Sequence, residues 1–160
     1  LENSLKLVNL SKNKIVIQNS SIINIIFWFD KKIIEDDFIA FSNSELQWIF
    51  SENEKKAGKF SQKITISLSD ADHLLEIKNS ELIKNFENMI RKELSVKHDT
   101  KLLRSLIIRS PKATQRTNDR KNITNYGKNI FFVGDWLVDD LPNTMEGASL
   151  SSKLLVEEKF

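Results

Sequence analysis

The stretch that decides the fold is IFFVGDW at Ile130–Trp136, followed a few residues later by PNTMEGA at Pro142–Ala148. Four consecutive apolar residues open the first segment, which predicts a short buried strand that ends at the Gly-Asp pair. In the second segment Asn143 and Glu146 have the spacing of a helix capping box, so a helix is predicted over Thr144–Glu158. A strand that leads through a loop to a helix N-terminus can bind a ligand, because the first N–H groups of a helix are unpaired.

The residue types in this element suit an oxygen-rich ligand. Gly134 has no side chain and lets a ligand approach the backbone closely. The Asp135 carboxylate only accepts hydrogen bonds, which suits sugar or ribityl hydroxyls. Small residues at Gly147, Ala148 and Ser151 let the helix pack against a sheet or a cofactor. For Glu146 two interpretations stay open, a helix cap and a cofactor contact.

Composition excludes several classes of function. The chain has 160 residues, of which 40% are hydrophobic and 29% are charged, so it can bury a core. Its 24 basic and 22 acidic residues nearly balance, and a net charge of +2 provides no large basic field for nucleic acid. The chain has no cysteine and only two histidines, His73 and His98, so we predict no metal site and no thiolate chemistry. Both histidines are predicted at the surface.

Upstream of this element, the pattern predicts an α+β fold, a mixed sheet covered by one helix. The helix is predicted over Glu81–Leu94 from its apolar stripe. Ser51–Gly58 is predicted as a loop from its charge and turn residues, and Arg109–Tyr126 as irregular. Strands are predicted from Ile, Val and aromatic enrichment or from alternation at Ile15–Gln18, Ile22–Phe29, Phe38–Phe41, Leu46–Phe50, Lys63–Leu68, Leu102–Ile108 and Ile130–Val133.

At the quoted element the chain resembles the C-terminal end of the flavin amine oxidase and phytoene desaturase superfamily. In that superfamily a strand ending in Gly-Asp leads through a Pro-containing loop to a Met-Glu-Gly-Ala helix that closes over FAD. The squalene-associated FAD-dependent desaturases, which include hydroxysqualene dehydroxylases, share further patches with this chain. The matching patches are Gly134-Asp135-Trp136, Pro142, Thr144–Ala148, Ser21–Asn24, Phe27–Asp30, Gln47–Phe50 and Lys112–Thr114.

The resemblance implies roles for individual residues. Gly134 and Asp135 would meet the ribityl and diphosphate part of FAD, and the Met145 backbone N–H would face the flavin pyrimidine carbonyl. Trp136, Pro142 and Thr144 would shape the wall beside the flavin ring. No side chain is assigned as a catalytic acid or base. The implied cofactor-binding set is Gly134, Asp135, Trp136, Pro142, Thr144, Met145 and Glu146.

The resemblance also implies a domain organisation. Residues 1–112 would be part of a substrate-binding domain, and residues 113–160 the terminal strand, loop and helix of a Rossmann-like FAD-binding domain. The superfamily begins with Gly-x-Gly-x-x-Gly, and the glycines at 58, 127, 134 and 147 cannot supply that motif. We therefore expect a C-terminal fragment of an FAD-dependent oxidoreductase that transfers hydride from a squalene-type or carotenoid-type polyisoprenoid to flavin.

Other interpretations stay open at this point. A flavin amine oxidase would need aromatic walls for a substrate amine, and Trp136 is one candidate. A non-enzymatic α+β module that binds a partner protein would present an apolar face without a flavin site. Trp28 and Trp48 are either core aromatics or the lining of an apolar substrate tunnel.

The expected partner is an apolar small molecule and the expected location is the cytoplasm. The longest apolar run, Ile22–Phe29, is shorter than the roughly 20 residues that a transmembrane helix needs. For the basic stretch between Arg109 and Lys121, a solvated loop and a peripheral contact with an anionic membrane surface both stay open.

Overall fold

The computed structural model describes residues 18–56, 59–116, 125–126, 130–138, 141 and 143–159. The chain divides into two compact units. One unit comprises Ser20–Ala113, and the other contains the remaining described residues near both ends of the sequence. The predicted strand Ile15–Gln18 lies outside the described residues except for Gln18.

The larger unit contains a five-stranded sheet. Its strands are β1 (Asn19–Phe29), β2 (Phe38–Ala40), β3 (Trp48–Lys56), β4 (Lys59–Ser69) and β5 (Leu102–Gln115), and their order in the sheet is β2-β3-β4-β1-β5. The pairs β1 with β4, β2 with β3 and β3 with β4 are all antiparallel. The predicted mixed sheet is therefore wrong, and the α+β class is right.

The β1 and β5 strands also run in opposite directions. At one end the Arg116 N–H donates to the Gln18 carbonyl, and at the other the Asp30 N–H donates to the Lys101 carbonyl. The start of one strand thus meets the end of its neighbour, as antiparallel pairing requires.

One face of the sheet carries the core. Alternate residues of β1 and β4 point into it, because successive side chains of a strand lie on opposite faces. Helix α1 (Asn79–Glu93) covers this face and buries Leu82, Phe86 and Ile90, as its apolar stripe predicts. The fully buried apolar strand residues of this core are Ile23, Ile25, Phe27, Phe29, Ile49, Ile64, Ile66 and Leu68.

Four strands, β1, β3, β4 and β5, extend beyond their predicted bounds, and two of them run through segments that were not predicted as strand. Ser51–Lys56 continues β3 and pairs with β4, so the predicted loop over these residues is wrong, and Ala57 and Gly58 lie outside the described residues. Arg109–Gln115 continues β5 through Pro111, where an irregular segment was expected. Because β5 is an edge strand, the missing N–H of Pro111 removes no central ladder bond.

A buried glutamine ties the loop after β1 to the sheet. The Gln62 side chain on β4 is fully buried, and its Oε1 accepts from the N–H groups of Ile33 at 2.7 Å and Ile34 at 3.1 Å. Its Nε2 donates to the Ile34 carbonyl at 2.7 Å and to Asn53 Oδ1 at 3.2 Å. All four hydrogen-bonding positions of this amide are thereby used.

The smaller unit contains short strands β6 (Asn125–Tyr126) and β7 (Ile130–Phe131), which pair antiparallel. A 3-10 turn at Asp135–Leu137 and helix α2 (Met145–Lys159) follow. The predicted strand Ile130–Val133 is thus only half as long, with Phe132 buried and Val133 exposed. The predicted helix is present.

Candidate functional site

Gly134 lies directly under the indole ring of Trp136. A Cβ atom built on Gly134 would be 2.0 Å from Cζ3 of that ring and 2.3 Å from Cη2. No side chain can therefore occupy position 134 while Trp136 keeps its place. Sequence reasoning predicted that Gly134 permits close approach to the backbone, and in this structure the group that approaches is the indole of Trp136.

The indole of Trp136 has an unusual polar environment. Trp136 is only 9% exposed, and its Nε1–H is buried without a hydrogen-bond partner in the described part of the chain. A buried donor left unpaired costs about 1–3 kcal/mol. Such an atom is a natural contact for an acceptor oxygen supplied by a ligand.

Ser151 joins the turn to helix α2. Its buried Oγ accepts from the Gly134 N–H at 2.9 Å and donates to the Ala148 carbonyl at 2.8 Å. The sequence suggested only that Ser151 keeps the helix face small. Its anchoring role depends on two segments that meet in space, so spacing alone gave no signal for it.

This anchor gives the first testable prediction. Ser151→Ala should destabilise the chain by about 1–2 kcal/mol, because the buried Gly134 N–H loses its acceptor. Ser152→Ala is the matched control, since the exposed Ser152 hydroxyl donates to the same Ala148 carbonyl without touching Gly134. The control should change stability by less than about 0.5 kcal/mol. Equal effects in urea unfolding followed by circular dichroism would contradict the anchoring role.

Helix α2 starts with Thr144 as its cap. Thr144 Oγ1 accepts from the Gly147 N–H at 3.3 Å, and the Thr144 carbonyl accepts the first helical bond from Ala148. The predicted capping box places the cap one residue too early, at Asn143. The N–H groups of Met145 and Glu146 stand in the first turn, where a helix has no carbonyl partner of its own. The Met145 side chain is 91% exposed.

Most of the predicted cofactor residues lie in two elements of the smaller unit, the 3-10 turn and the start of helix α2. Gly134, Asp135 and Trp136 form the 3-10 turn, and Asp135 is half-buried. Thr144, Met145 and Glu146 form the exposed start of α2. Pro142 lies outside the described residues.

A small cavity lies between the turn and helix α2. It has a volume of about 190 Å³ and is lined by Phe132, Leu137, Ser151, Leu154, Leu155 and Glu158. Sites for small organic ligands usually measure about 300–1,000 Å³. This cavity is therefore too small to hold an FAD molecule.

The second candidate region is the sheet face opposite helix α1. On β2 and β3 it carries the aromatic residues Phe38, Trp48 and Phe50. The ring centroid of Trp48 is 6.3 Å from that of Phe38 and 6.3 Å from that of Phe50. On β5 it carries Arg104, Leu106 and Ile108, which alternate with the core-packed Ile107. We call this the aromatic face.

The aromatic residues of β2 and β3 form one flank of the aromatic face, and the β5 residues form the other. Strands β4 and β1 lie between these flanks. The backbone register sets Trp48 opposite Ser67 and Ser67 opposite Asn24, and it sets Phe50 opposite Thr65. Residues that oppose each other in an antiparallel pair share a face. On β1 this face also carries Ile26, which is buried and stands opposite Thr65, so the floor of the face combines polar side chains with an apolar one.

Charged groups occupy one end of this floor. Lys63 Nζ lies 3.0 Å from Glu52 Oε2, and the Arg104 guanidinium lies over the Trp28 ring at 4.8 Å from its centroid. Trp28 is half-buried and Trp48 is 46% exposed. Neither lies among the buried residues of the core, and both stand on the aromatic face.

The remaining sequence expectations concern histidine, metal and membrane. His73 and His98 are both exposed, as predicted. Within the described ranges, no group of three or more His, Cys, Asp or Glu side chains could hold a metal ion. No helix in the part of the chain that the structure describes combines the length and apolar content needed to cross a bilayer.

The fold is similar to that of a solved crystal structure. A crystal structure from Exiguobacterium sp. 255-15, provisionally named a protoporphyrinogen oxidase, superimposes with a TM-score of 0.60. The match covers 98% of this chain and 38% of that chain at 10% sequence identity. At this identity the likeness shows a shared fold.

Curated relatives confirm the resemblance seen in the sequence. A hydroxysqualene dehydroxylase of Sinorhizobium fredii is 23% identical over 80% of this chain, and one of Zymomonas mobilis is 27% identical over 66%. A 15-cis-phytoene desaturase of Synechococcus elongatus is 26% identical over 88% of this chain. The chain spans about a third or less of the length of these relatives, namely 30%, 24% and 32%. No protein-family model matches the chain.

Proposed function

We propose that the chain is the C-terminal part of an FAD-dependent oxidoreductase that acts on a polyisoprenoid by hydride transfer to flavin. The smaller unit would contribute to the cofactor site, as the end of a Rossmann-like domain, and the larger unit would contribute to the substrate site. The observation that carries the proposal is the Gly134–Trp136 turn, in which a backbone position without a side chain adjoins a buried, unpaired indole N–H.

The residues present fit an oxygen-rich, anionic cofactor such as FAD. The Trp136 Nε1–H is buried without a partner in the described residues, and the N–H groups of Met145 and Glu146 lie in the first turn of helix α2, which offers them no intrahelical acceptor. The positive end of the helix dipole also favours negative charge near Met145. Donors and dipole together suit phosphate, ribityl and flavin carbonyl oxygens.

When bound, FAD would supply the hydride-accepting chemistry. The residues of this chain would bind and orient the cofactor. Asp135 would accept a hydrogen bond from a cofactor hydroxyl, and the Met145 N–H would donate toward the flavin pyrimidine oxygen. Trp136 and Thr144 would form part of the wall that excludes water from the ring.

An apolar substrate is supported by the aromatic face. Phe38, Trp48 and Phe50 leave large apolar surfaces in contact with solvent, and such contiguous patches mark binding sites. A long isoprenoid chain could lie along the floor between the two flanks and bury apolar area on both. The curated relatives are named for squalene-type and carotenoid-type substrates, which are long isoprenoids.

Substitution of Asp135 tests the proposal that the smaller unit contributes to an FAD-binding site. In the protein encoded by the complete gene, Asp135→Ala should weaken FAD binding about tenfold to a hundredfold, because a charge-assisted hydrogen bond contributes about 1.5–3 kcal/mol. Asp135→Asn should weaken binding less, since its amide oxygen still accepts. Titration of the three apoproteins with FAD measures this series, and equal dissociation constants would remove Asp135 from the cofactor site.

A further inference from the structure

We propose that an open cavity at the C-terminal end of helix α1 binds a phosphate group, carried by a small soluble ligand or by a lipid headgroup. The cavity belongs to the larger unit and has a volume of about 670 Å³. Sites for small organic ligands usually measure about 300–1,000 Å³. The inference needs neither flavin nor an apolar substrate, so its test is independent of the proposed function.

One wall of the cavity is a polar face of helix α1. Asn88 and Lys92 both line the cavity, and they are four residues apart, so their side chains lie on the same face of the helix. Both are exposed, whereas Phe86 and Ile90 of the same helix are buried in the core. The helix therefore presents an amide and an ammonium group, both hydrogen-bond donors, to the cavity.

The chain after the helix turns back in a Schellman motif and forms the other wall. The Ser95 N–H donates to the Lys92 carbonyl at 3.3 Å, and the Val96 N–H donates to the Arg91 carbonyl at 3.0 Å. Ser95 has a φ of 49°, the left-handed conformation that glycine usually supplies at this position. The reversal brings the next two residues to the same cavity as the helix face.

The cavity carries a positive charge that no acidic side chain compensates. It is lined by Lys92, Lys97 and His98, and by no Asp or Glu in the described part of the chain. None of these three side chains makes a hydrogen bond or an ion pair with another described residue. Asp99, the next residue along, pairs with Lys31 and is thereby engaged elsewhere.

The remaining cation of the cavity is paired and fixed in place. The Arg91 Nε donates to Glu87 Oε1 at 2.8 Å, and its Nη2 donates to the Thr100 carbonyl at 3.1 Å. The excess positive charge therefore comes from the two lysines. The helix terminus offsets little of that charge, because the carbonyls of residues 90–92 each accept a hydrogen bond from residues 94–96.

A phosphate group matches this set of donors. A phosphomonoester carries a charge of about −1.5 to −2 near neutral pH, which the ammonium groups of Lys92 and Lys97 balance. Lysine binds phosphate as a point charge, and the Asn88 amide and the Ser95 hydroxyl can donate to the other oxygens. A carboxylate has a single charge and two oxygens, so it would engage these donors less completely.

The test uses inorganic pyrophosphate as the soluble probe, titrated into the full chain by calorimetry. Lys92→Gln and Lys97→Gln should each weaken binding about threefold to tenfold, because each removes one charge-assisted hydrogen bond from an exposed side chain. Lys84→Gln is the matched control. It removes the same charge from an exposed position of helix α1, about 12 Å from Lys92 along the axis, and should leave the dissociation constant unchanged.

A variant at Ser95 separates weaker binding from weaker folding. Ser95→Gly removes the hydroxyl and should weaken pyrophosphate binding about twofold to tenfold, the effect of one neutral hydrogen bond. Glycine adopts the left-handed conformation without strain, so the urea midpoint of this variant should not fall. Weaker binding together with an undiminished midpoint supports a direct contact with the ligand.

Vesicle binding distinguishes the source of the phosphate. Sedimentation of the chain with phosphatidylcholine vesicles is compared with vesicles that also contain phosphatidic acid, whose headgroup is a phosphomonoester. Binding that requires phosphatidic acid, and that falls in Lys92→Gln and Lys97→Gln but not in Lys84→Gln, supports a lipid headgroup. Pyrophosphate binding with the same pattern and no vesicle binding supports a soluble ligand.

Two results would overturn the inference. One is that the unmodified chain binds neither pyrophosphate nor the vesicles that contain phosphatidic acid. The other is that Lys84→Gln weakens binding as much as Lys92→Gln and Lys97→Gln, since the effect would then come from the overall charge of the chain and not from the cavity.

Discussion

Gln62→Leu should destabilise the larger unit by about 3–5 kcal/mol. Leucine has a similar size, but it would leave the N–H groups of Ile33 and Ile34 and the Ile34 carbonyl without their present partners. Each buried group left unpaired costs about 1–3 kcal/mol, and Ile34 is itself buried. Urea unfolding followed by far-UV circular dichroism measures the change.

Gln47 provides the control for this prediction. Its side chain also bridges two segments, with Oε1 accepting from the Ser69 N–H at 2.8 Å and Nε2 donating to the Ser69 carbonyl at 3.1 Å. Both bonds are exposed, so water can replace them, and Gln47→Ala should cost only about 1 kcal/mol. Comparable effects at positions 62 and 47 would show that burial of the Gln62 network does not govern stability.

Gly134→Ala should expel the Trp136 ring from its place on the turn. The new Cβ would overlap the ring at 2.0 Å, so either the ring or the backbone must move. Overpacking of this kind costs about 1–3 kcal/mol, and loss of the buried indole contacts adds to it. We expect about 2–4 kcal/mol of destabilisation in the smaller unit.

Tryptophan emission measures this displacement directly. In a Trp28→Phe, Trp48→Phe background, Trp136 is the only tryptophan of the chain, and Gly134→Ala should shift its emission to the red as the ring enters water. A Trp136→Phe background should reduce the destabilisation, because phenylalanine lacks the outer ring atoms that the new Cβ would meet. Unchanged emission together with unchanged stability would refute the packing of Trp136 on Gly134.

Elements with a local periodic signal could be predicted from the sequence. Alternation in KITISL and the apolar stripe of Glu81–Leu94 located β4 and α1, because both patterns depend only on neighbouring residues. The extents of β3 and β5 could not be predicted, since Ser51–Lys56 and Arg109–Gln115 are polar or charged. Ser51–Lys56 is strand because β4 satisfies its backbone groups, and β5 lies beside β1 in the sheet, so both extents depend on distant parts of the chain.

The candidate site was predictable in position and only partly in geometry. The order and spacing of residues predicted the positions of the Gly-Asp-Trp turn and of the start of α2. The predicted helix cap, Asn143, is one residue before the observed cap, Thr144. Thr144 and Asn143 are adjacent and are both good caps, so residue type could not choose between them. The packing of Trp136 on Gly134 and the bond from Gly134 to Ser151 join residues that sequence order does not relate, and they required the three-dimensional structure.

The flavin content of the protein encoded by the complete gene is read from its visible absorption spectrum after purification. We expect a flavin absorption band that co-elutes with the protein, and release of FAD when the protein is denatured. The chain of 160 residues purified alone should be colourless, because it has no phosphate-binding glycine motif. A complete protein that carries no flavin and binds none on titration would show that it is not an FAD-dependent oxidoreductase.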